Sequence, residues 1–196
     1  MKRQTTMNLR NLPNAITLSR LFLVPVLIVV LKEGNYEAAL MIFLLAGISD
    51  GLDGYIAKRF NLVSHLGSVL DPLADKMLLV STYVMLTILG DIPFWLMMAV
   101  AFRDVLIVGG YILVTSVLGP VRMEPSWLSK FNTVTQILLV LVILVQQAFH
   151  VPGAWANEPL IFVVLLTTLA SGIHYIWLWL IKKEITPLGP DPDNKA

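Results

Sequence analysis

Two pairs of aspartates stand inside hydrophobic stretches of this chain: Asp50 with Asp53, and Asp71 with Asp75. Their spacings, i to i+3 and i to i+4, put each pair on one helix face if those stretches are helical. A carboxylate at membrane depth costs about 2.5–3.5 kcal/mol on insertion scales, and ionisable groups kept there mark a site or a pathway. Two unit charges ~4 Å apart repel by roughly 4 kcal/mol at an effective dielectric of 20, so four together need neutralising. A hard divalent cation, which takes oxygen ligands, suits them. Two such ions, Mg2+ or Mn2+, would neutralise a diphosphate and stabilise both entering and leaving oxygens of an in-line displacement. The competing arrangement is a buried ion network with Lys58, Arg59 and Lys76.

The elements that must hold these residues are membrane helices. Of 196 residues, 57% are hydrophobic and 14% charged, with a mean hydropathy of +0.77. A soluble domain carries about 25% charged residues, so the chain reads as an all-α integral membrane protein. Six transmembrane helices are predicted, over Ile16–Leu31, Tyr36–Ala57, Leu66–Leu89, Pro93–Leu118, Trp127–Phe149 and Glu158–Ile181. Most reach the ~20 residues that a bilayer core demands. The connections between them are short and hold turn residues: Gly34–Asn35, Asp91, Gly119–Pro120 and Pro152–Gly153. No linker separates domains, so residues 1–184 are expected to form one domain, with 185–196 a Pro-rich, polar, disordered tail. The first apolar run lacks a small-residue cleavage site, and no cleavable signal is expected.

Charge and cysteine content narrow the chemistry further. The chain has no cysteine, which excludes thiolate catalysis and disulfides. Its net charge is +1, and no nucleic-acid partner is expected. Lys2, Arg3, Arg10, Lys58, Arg59, Arg122, Lys130, Lys182 and Lys183 fall on one side of the predicted spans; Lys32 stands on the other. That asymmetry predicts both termini in the cytoplasm, and it puts all four aspartates near the cytoplasmic boundary.

Residues 50–76 read DGLDGYIAKRFNLVSHLGSVLDPLADK. The intervals between Asp50, Asp53, Gly54, Ala57, Lys58, Gly67, Asp71 and Asp75 resemble the signature of the CDP-alcohol phosphotransferase family. One position departs: the family usually has Arg where this chain has Lys58, and Lys cannot make a bidentate fork to phosphate. The resemblance implies the CDP-alcohol phosphotransferase fold, a homodimer, and phosphatidyl transfer from a CDP-linked donor to an alcohol. It implies metal ligation by Asp50, Asp53, Asp71 and Asp75, with Asp75 also the base toward the acceptor hydroxyl. It implies that Gly54, Lys58 and Ser64 meet the CDP group, and that an amino-terminal contact comes from Asn14–Thr17. The small Ala57 and Gly67 suit close approach of base and ribose to the backbone. Arg20 either assists with phosphate or snorkels toward headgroups.

The acceptor is the finer question. In family members that use glycerol 3-phosphate, cations for its phosphate stand eight residues after the Arg of the fourth span and near the start of the fifth. Here those positions hold Tyr111 and Asn132, with Arg103 and Lys130 in place. The expected reaction is therefore CDP-diacylglycerol plus phosphatidylglycerol giving cardiolipin and CMP, with glycerol 3-phosphate the alternative acceptor. Arg103, Tyr111, Lys130 and Asn132 are the acceptor candidates. Arg103 and Asp104 are sequence neighbours, which do not face each other on a helix, so each is expected to need a partner elsewhere or water. His65 lies near the motif; His150 and His174 read as interfacial or packing residues, and the five tryptophans as interfacial anchors. The expected location is a bacterial plasma membrane with the site facing the cytoplasm. A cation transporter, the rival class, would show repeats and a midplane site, and neither pattern is visible.

Overall fold

The computed structural model describes the backbone of residues 21–60, 65–118, 126–151 and 154–180. Within these it describes the side chains of all but 50–75, 117–118, 154–156 and 178–180. The described residues form six helices: α1 (Leu21–Lys32), α2 (Tyr36–Phe60), α3 (His65–Leu89), α4 (Phe94–Leu118), α5 (Trp127–Phe149) and α6 (Ala154–Leu180). Where both bounds are described, predicted and observed agree within a few residues; the start predicted at Ile16 lies outside the described residues. The largest difference is α6, which begins ahead of Glu158 and runs through Pro159.

Helices α4, α5 and α6 supply the stretches Phe94–Ser116, Trp127–Phe149 and Asn157–Trp177, each long and apolar enough to cross a membrane. Shorter apolar stretches occupy Leu21–Lys32, Tyr36–Ser49 and Lys76–Leu89. The burial pattern is that of a protein in lipid. Phe102, Val105, Leu113, Phe162, Leu166 and Ile173 are exposed, while Arg103, Asn132, Gln136, Thr168 and Ser171 are buried.

The chain divides into two compact units, one of Met1–Ile92 with Val140–Gly153, the other of Pro93–Leu139 with Ala154–Ala196. Helix α5 contributes to both. Its buried residues Asn132, Thr135, Gln136, Leu139, Val140, Ile143 and Leu144 follow the i, i+3, i+4, i+7 stripe of a helix face. The stripe is polar in its first half and aliphatic from Leu139 onward.

The core of the first unit holds Val24, Leu27 and Leu31 of α1, Ala39, Leu40, Phe43 and Ala46 of α2, and Leu79, Tyr83 and Leu86 of α3. Three helices of this unit end in the same way. The amides of Gly34 and Asn35 return to Leu31 and Val30, and those of Gly90 and Asp91 to Thr87 and Leu86. These are Schellman turns, which require a left-handed residue just past the helix; Gly34 has φ +72° and Gly90 φ +89°. Helix α5 closes likewise, with Val151 N bonded to Gln146 O and His150, not glycine, at φ 52°. Asn35 Oδ1 then accepts from Ala38 N at 3.1 Å and caps α2.

One carboxylate ties these turns together. Asp91 accepts from Tyr36 Oη at 2.8 Å and from Gln147 Nε2. The start of α2 and the ends of α3 and α5 therefore meet at one end of the unit, beside an open cavity of about 420 Å³ lined by Glu33, Tyr36, Glu37, Gln147 and His150. Positions 50 and 53 lie some 14–17 residues along α2 from Tyr36, and positions 71 and 75 a similar distance along α3 from Leu89. At 1.5 Å per residue, each aspartate pair is about 21–27 Å from the latched end.

In the second unit α4 packs on α6. The core combines Leu96, Val100 and Val114 of α4, Leu139 of α5, and Val164 and Tyr175 of α6 with the buried polar residues. Ser126 caps α5, its Oγ accepting from Ser129 N at 3.2 Å.

Candidate functional site

The four motif aspartates fall on helical backbone, Asp50 and Asp53 in α2, Asp71 and Asp75 in α3. The helical spacing expected for each pair is thus present. Their side chains lie outside the described residues, as do those of Gly54, Ala57, Lys58, His65 and Gly67; Asn14, Thr17, Arg20 and Ser64 lie outside them altogether. Among the described residues no group of three or more His, Cys, Asp or Glu gathers as a metal site. The donor chemistry of the motif itself, carboxylate oxygens from two helices, fits hard divalent ions.

The second unit holds a polar seam between apolar helices. Its centre is Arg103 on α4, 5% exposed. Its Nε and Nη2 donate to Ser171 Oγ on α6 at 3.2 and 2.7 Å, Nη2 also donates to Ser129 Oγ on α5, and Nη1 donates to Asp104 Oδ1 at 3.0 Å. Arg103 thus has the expected partners elsewhere, on α5 and α6, and it also meets its neighbour Asp104, which helical spacing argued against. The rule compares Cβ directions of sequence neighbours, but the arginine stem is long enough to turn its fork onto the adjacent carboxylate. The positive charge of Arg103 is therefore matched on its own helix. Removing one partner of such a buried pair costs about 3–5 kcal/mol, because the other charge is stranded.

Asn132, fully buried, sits one turn beyond Ser129 on α5. Its Oδ1 lies 2.9 Å from the hydroxyls of both Thr167 and Thr168 on α6, and Thr135 Oγ1 lies 3.1 Å from Thr167 Oγ1. Among the described residues the Nε2 of Gln136, 1% exposed, has no hydrogen-bond partner, and Asn132 Nδ2 has none in this orientation of its amide. A buried donor left unsatisfied costs about 1–3 kcal/mol.

Of the four acceptor candidates, the structure brings Arg103 and Asn132 into one seam, linked through Ser129 and α6. It does not bring Tyr111 or Lys130 there. Tyr111 is 44% exposed, and Lys130 is exposed with its Nζ 5.2 Å from the Trp127 ring centroid. Sequence reasoning missed Gln136, Thr135, Thr167, Thr168 and Ser171. Their signal was present as polar residues at helical intervals inside otherwise apolar segments, the pattern by which membrane helices associate. Of the expected anchors, Trp95, Trp127 and Trp177 are exposed, and His174 stacks on Trp177 with ring centroids 6.5 Å apart.

The chain belongs to the CDP-alcohol phosphatidyltransferase family, whose model matches residues 10–180. Among its relatives is a cardiolipin synthase (CMP-forming) / mitochondrial hydrolase fusion protein of Schizosaccharomyces pombe. It is 34% identical over 183 residues, covering 86% of this chain and 31% of the relative. The cardiolipin synthase (CMP-forming) of Homo sapiens is 34% identical over 180 residues, covering 84% and 60%. The CDP-diacylglycerol–glycerol-3-phosphate 3-phosphatidyltransferase of Bacillus subtilis is 30% identical over 181 residues, covering 84% and 93%. The chain thus spans less than two thirds of the length of these two cardiolipin synthases.

Proposed function

We propose that this protein transfers a phosphatidyl group from CDP-diacylglycerol to a hydroxyl of phosphatidylglycerol, forming cardiolipin and releasing CMP. The observation that carries the choice of acceptor is the charge balance at Arg103. Its guanidinium is matched by Asp104 at 3.0 Å, and Asn132, one turn past Ser129, is neutral. A phosphomonoester dianion would need charge-assisted partners, whereas phosphatidylglycerol presents only hydroxyls and a monoanionic diester. The relatives named as CMP-forming cardiolipin synthases support the same reading. The Bacillus subtilis relative favours the second reading, glycerol 3-phosphate as acceptor.

In this reading Asp50, Asp53, Asp71 and Asp75 hold two divalent ions, Mg2+ or Mn2+, which when bound neutralise the diphosphate and stabilise the entering and leaving oxygens. Asp75 takes the proton from the acceptor hydroxyl, whose oxygen forms the new bond to the phosphatidyl phosphorus. The anhydride bond to CMP breaks as that bond forms. Gly54, Ala57, Lys58, Ser64 and Gly67, with Asn14, Thr17 and Arg20, bind the CDP group. Residues 1–184 act as one catalytic domain crossing the membrane six times. Both termini and the site face the cytoplasm, a placement supported by the basic residues flanking the predicted spans. The membrane is a bacterial plasma membrane and the enzyme a homodimer.

The test is acceptor competition: purified protein, CDP-diacylglycerol, and either phosphatidylglycerol or glycerol 3-phosphate, with products identified by mass. Cardiolipin and CMP are expected. Efficient formation of phosphatidylglycerophosphate without cardiolipin would overturn the acceptor and leave the family standing.

A further inference from the structure

The latch at one end of the first unit joins the two helices that carry the aspartate pairs. Asp91 sits in the turn after α3, and its backbone amide donates to Leu86 O at 2.8 Å, so its carboxylate is fixed to the frame of α3. Tyr36 is the first residue of α2, whose start is capped by Asn35. The 2.8 Å hydrogen bond from Tyr36 Oη to Asp91 Oδ2 is thus a direct tie between α2 and α3. The other oxygen, Oδ1, accepts from Gln147 on α5, a helix that carries none of the four aspartates.

The buried side chains beside this tie are mostly apolar: Ala39, Leu40, Phe43 and Ala46 on α2, Leu79 and Leu86 on α3. Buried Thr82 spends its hydroxyl on Leu78 O of its own helix. In lipid such apolar side chains gain little by facing protein rather than acyl chains, so they fix the axial position of a helix weakly. A hydrogen bond is short and directional, and it sets where one helix stands along the other. Each aspartate pair lies about 21–27 Å farther along the same two helices. Groups that share a site must be held within about 0.5 Å of the working arrangement. An error of register at the latch therefore reaches the motif as an error in the spacing between its two pairs.

We propose that the Tyr36–Asp91 hydrogen bond sets the axial register of α2 against α3 and thereby the affinity of the aspartate motif for divalent cations. Tyr36 and Asp91 are positioning residues. The proposal rests on the metal reading above and deepens it by naming the contact that holds the two halves of the ligand set in step. Gln147 provides the internal comparison, since its loss also takes a hydrogen bond from Asp91 but leaves α2 tied to α3.

The chain has no cysteine, so spin labels can be placed singly. Ile48→Cys on α2 and Met77→Cys on α3, both exposed positions, put labels two residues from Asp50 and Asp75. The full chain in phospholipid nanodiscs is compared as wild type, Tyr36→Phe, Asp91→Ala and Gln147→Leu. Pulsed EPR reads the label distance in metal-free protein, the free-ion EPR signal reads Mn2+ binding to unlabelled protein, and Tm is recorded for each. Tyr36→Phe and Asp91→Ala are expected to shift or broaden the distance distribution. They should also raise the Mn2+ Kd by about tenfold, the low end of what losing an outer partner of metal ligands costs. Gln147→Leu should change neither, whatever its Tm. An unchanged Mn2+ Kd in Tyr36→Phe overturns the proposal, and so does a raised Kd with an unaltered distance distribution. Equal changes in Gln147→Leu overturn it too, in favour of general loosening of the latched end. If Tyr36→Phe does not fold, Asp91→Ala decides on the same criteria. Asp50→Asn tests the underlying reading: Mn2+ binding as in the wild type means that the aspartates are not the metal site. The tie is then judged on label distance alone, where a shifted distribution upholds the register contact and an unaltered one refutes it.

Discussion

At the scale of single residues the sequence spoke through side-chain type. Four carboxylates among aliphatic neighbours stand out in the sequence because charge inside an apolar stretch is costly. Pairing was not legible in the same way. Spacing correctly calls for partners of Arg103 on other helices but not for its contact with Asp104, since it reports where Cβ atoms point and not how far a guanidinium can fold back. Gln136 escaped notice because an amide carries no charge to attract attention. The roles proposed within the aspartate motif are separable by isosteric change. Asp75→Asn keeps one metal-binding oxygen and cannot accept a proton, so CDP-diacylglycerol binding should survive while turnover falls at least ~10²-fold. Asp50→Asn should lose turnover together with donor binding. Equilibrium binding of a fluorescent CDP-diacylglycerol, set beside product formation, checks both; equal loss of binding in the two variants would remove the distinction.

At the scale of elements, apolar run length and turn residues were enough to place the helices, because the bilayer demands long apolar stretches and the turns carry glycine. Gly34 and Gly90 announced two of the closures through composition alone. The third is invisible in that alphabet, since His150 adopts the left-handed conformation without being glycine. That conformation costs a side-chain-bearing residue about 1–2 kcal/mol, so His150→Gly should raise stability by about 1 kcal/mol in thermal unfolding in detergent. Gly90→Ala should lower it by a similar amount. A methyl group there meets no atom within 4 Å, so the loss would report backbone strain alone. The division of α5 into a polar and an aliphatic half was equally hidden. Hydropathy averaged over the helix records only that it is apolar enough to cross.

At the scale of the whole molecule, the described residues bury several polar side chains beside an apolar core while many large apolar ones face outward, unlike the surface of a soluble protein. Membrane residence was therefore legible from composition, whereas the latch of Tyr36, Asp91 and Gln147 joins positions more than fifty residues apart and had no local signature. If the motif aspartates hold divalent ions, the ions stabilise the folded enzyme as well as the reaction, because ligands that bind the native state raise its stability by mass action. Excess EDTA should abolish turnover and lower Tm, and Mg2+ or Mn2+ should restore both. Asp50→Asn should blunt the Tm response. Full activity in excess chelator would be incompatible with the proposed metal site.

The three closed turns at the latched end also bear on how the protein's orientation can be measured. Proteases nick exposed, pliable loop tips, and the described turns at this end, though exposed, are closed by backbone hydrogen bonds. Its backbone amides are returned to the preceding helix, and one carboxylate clasps the start of α2, the turn after α3 and the last turn of α5. Trypsin or proteinase K added to sealed vesicles should cut the turns after α1 and α3 only slowly even when they face the enzyme. Protection there would be misread as enclosure within the vesicle. Orientation is better read by tags inserted at these turns or by impermeant chemical labels, for which a short, tightly folded connection remains visible.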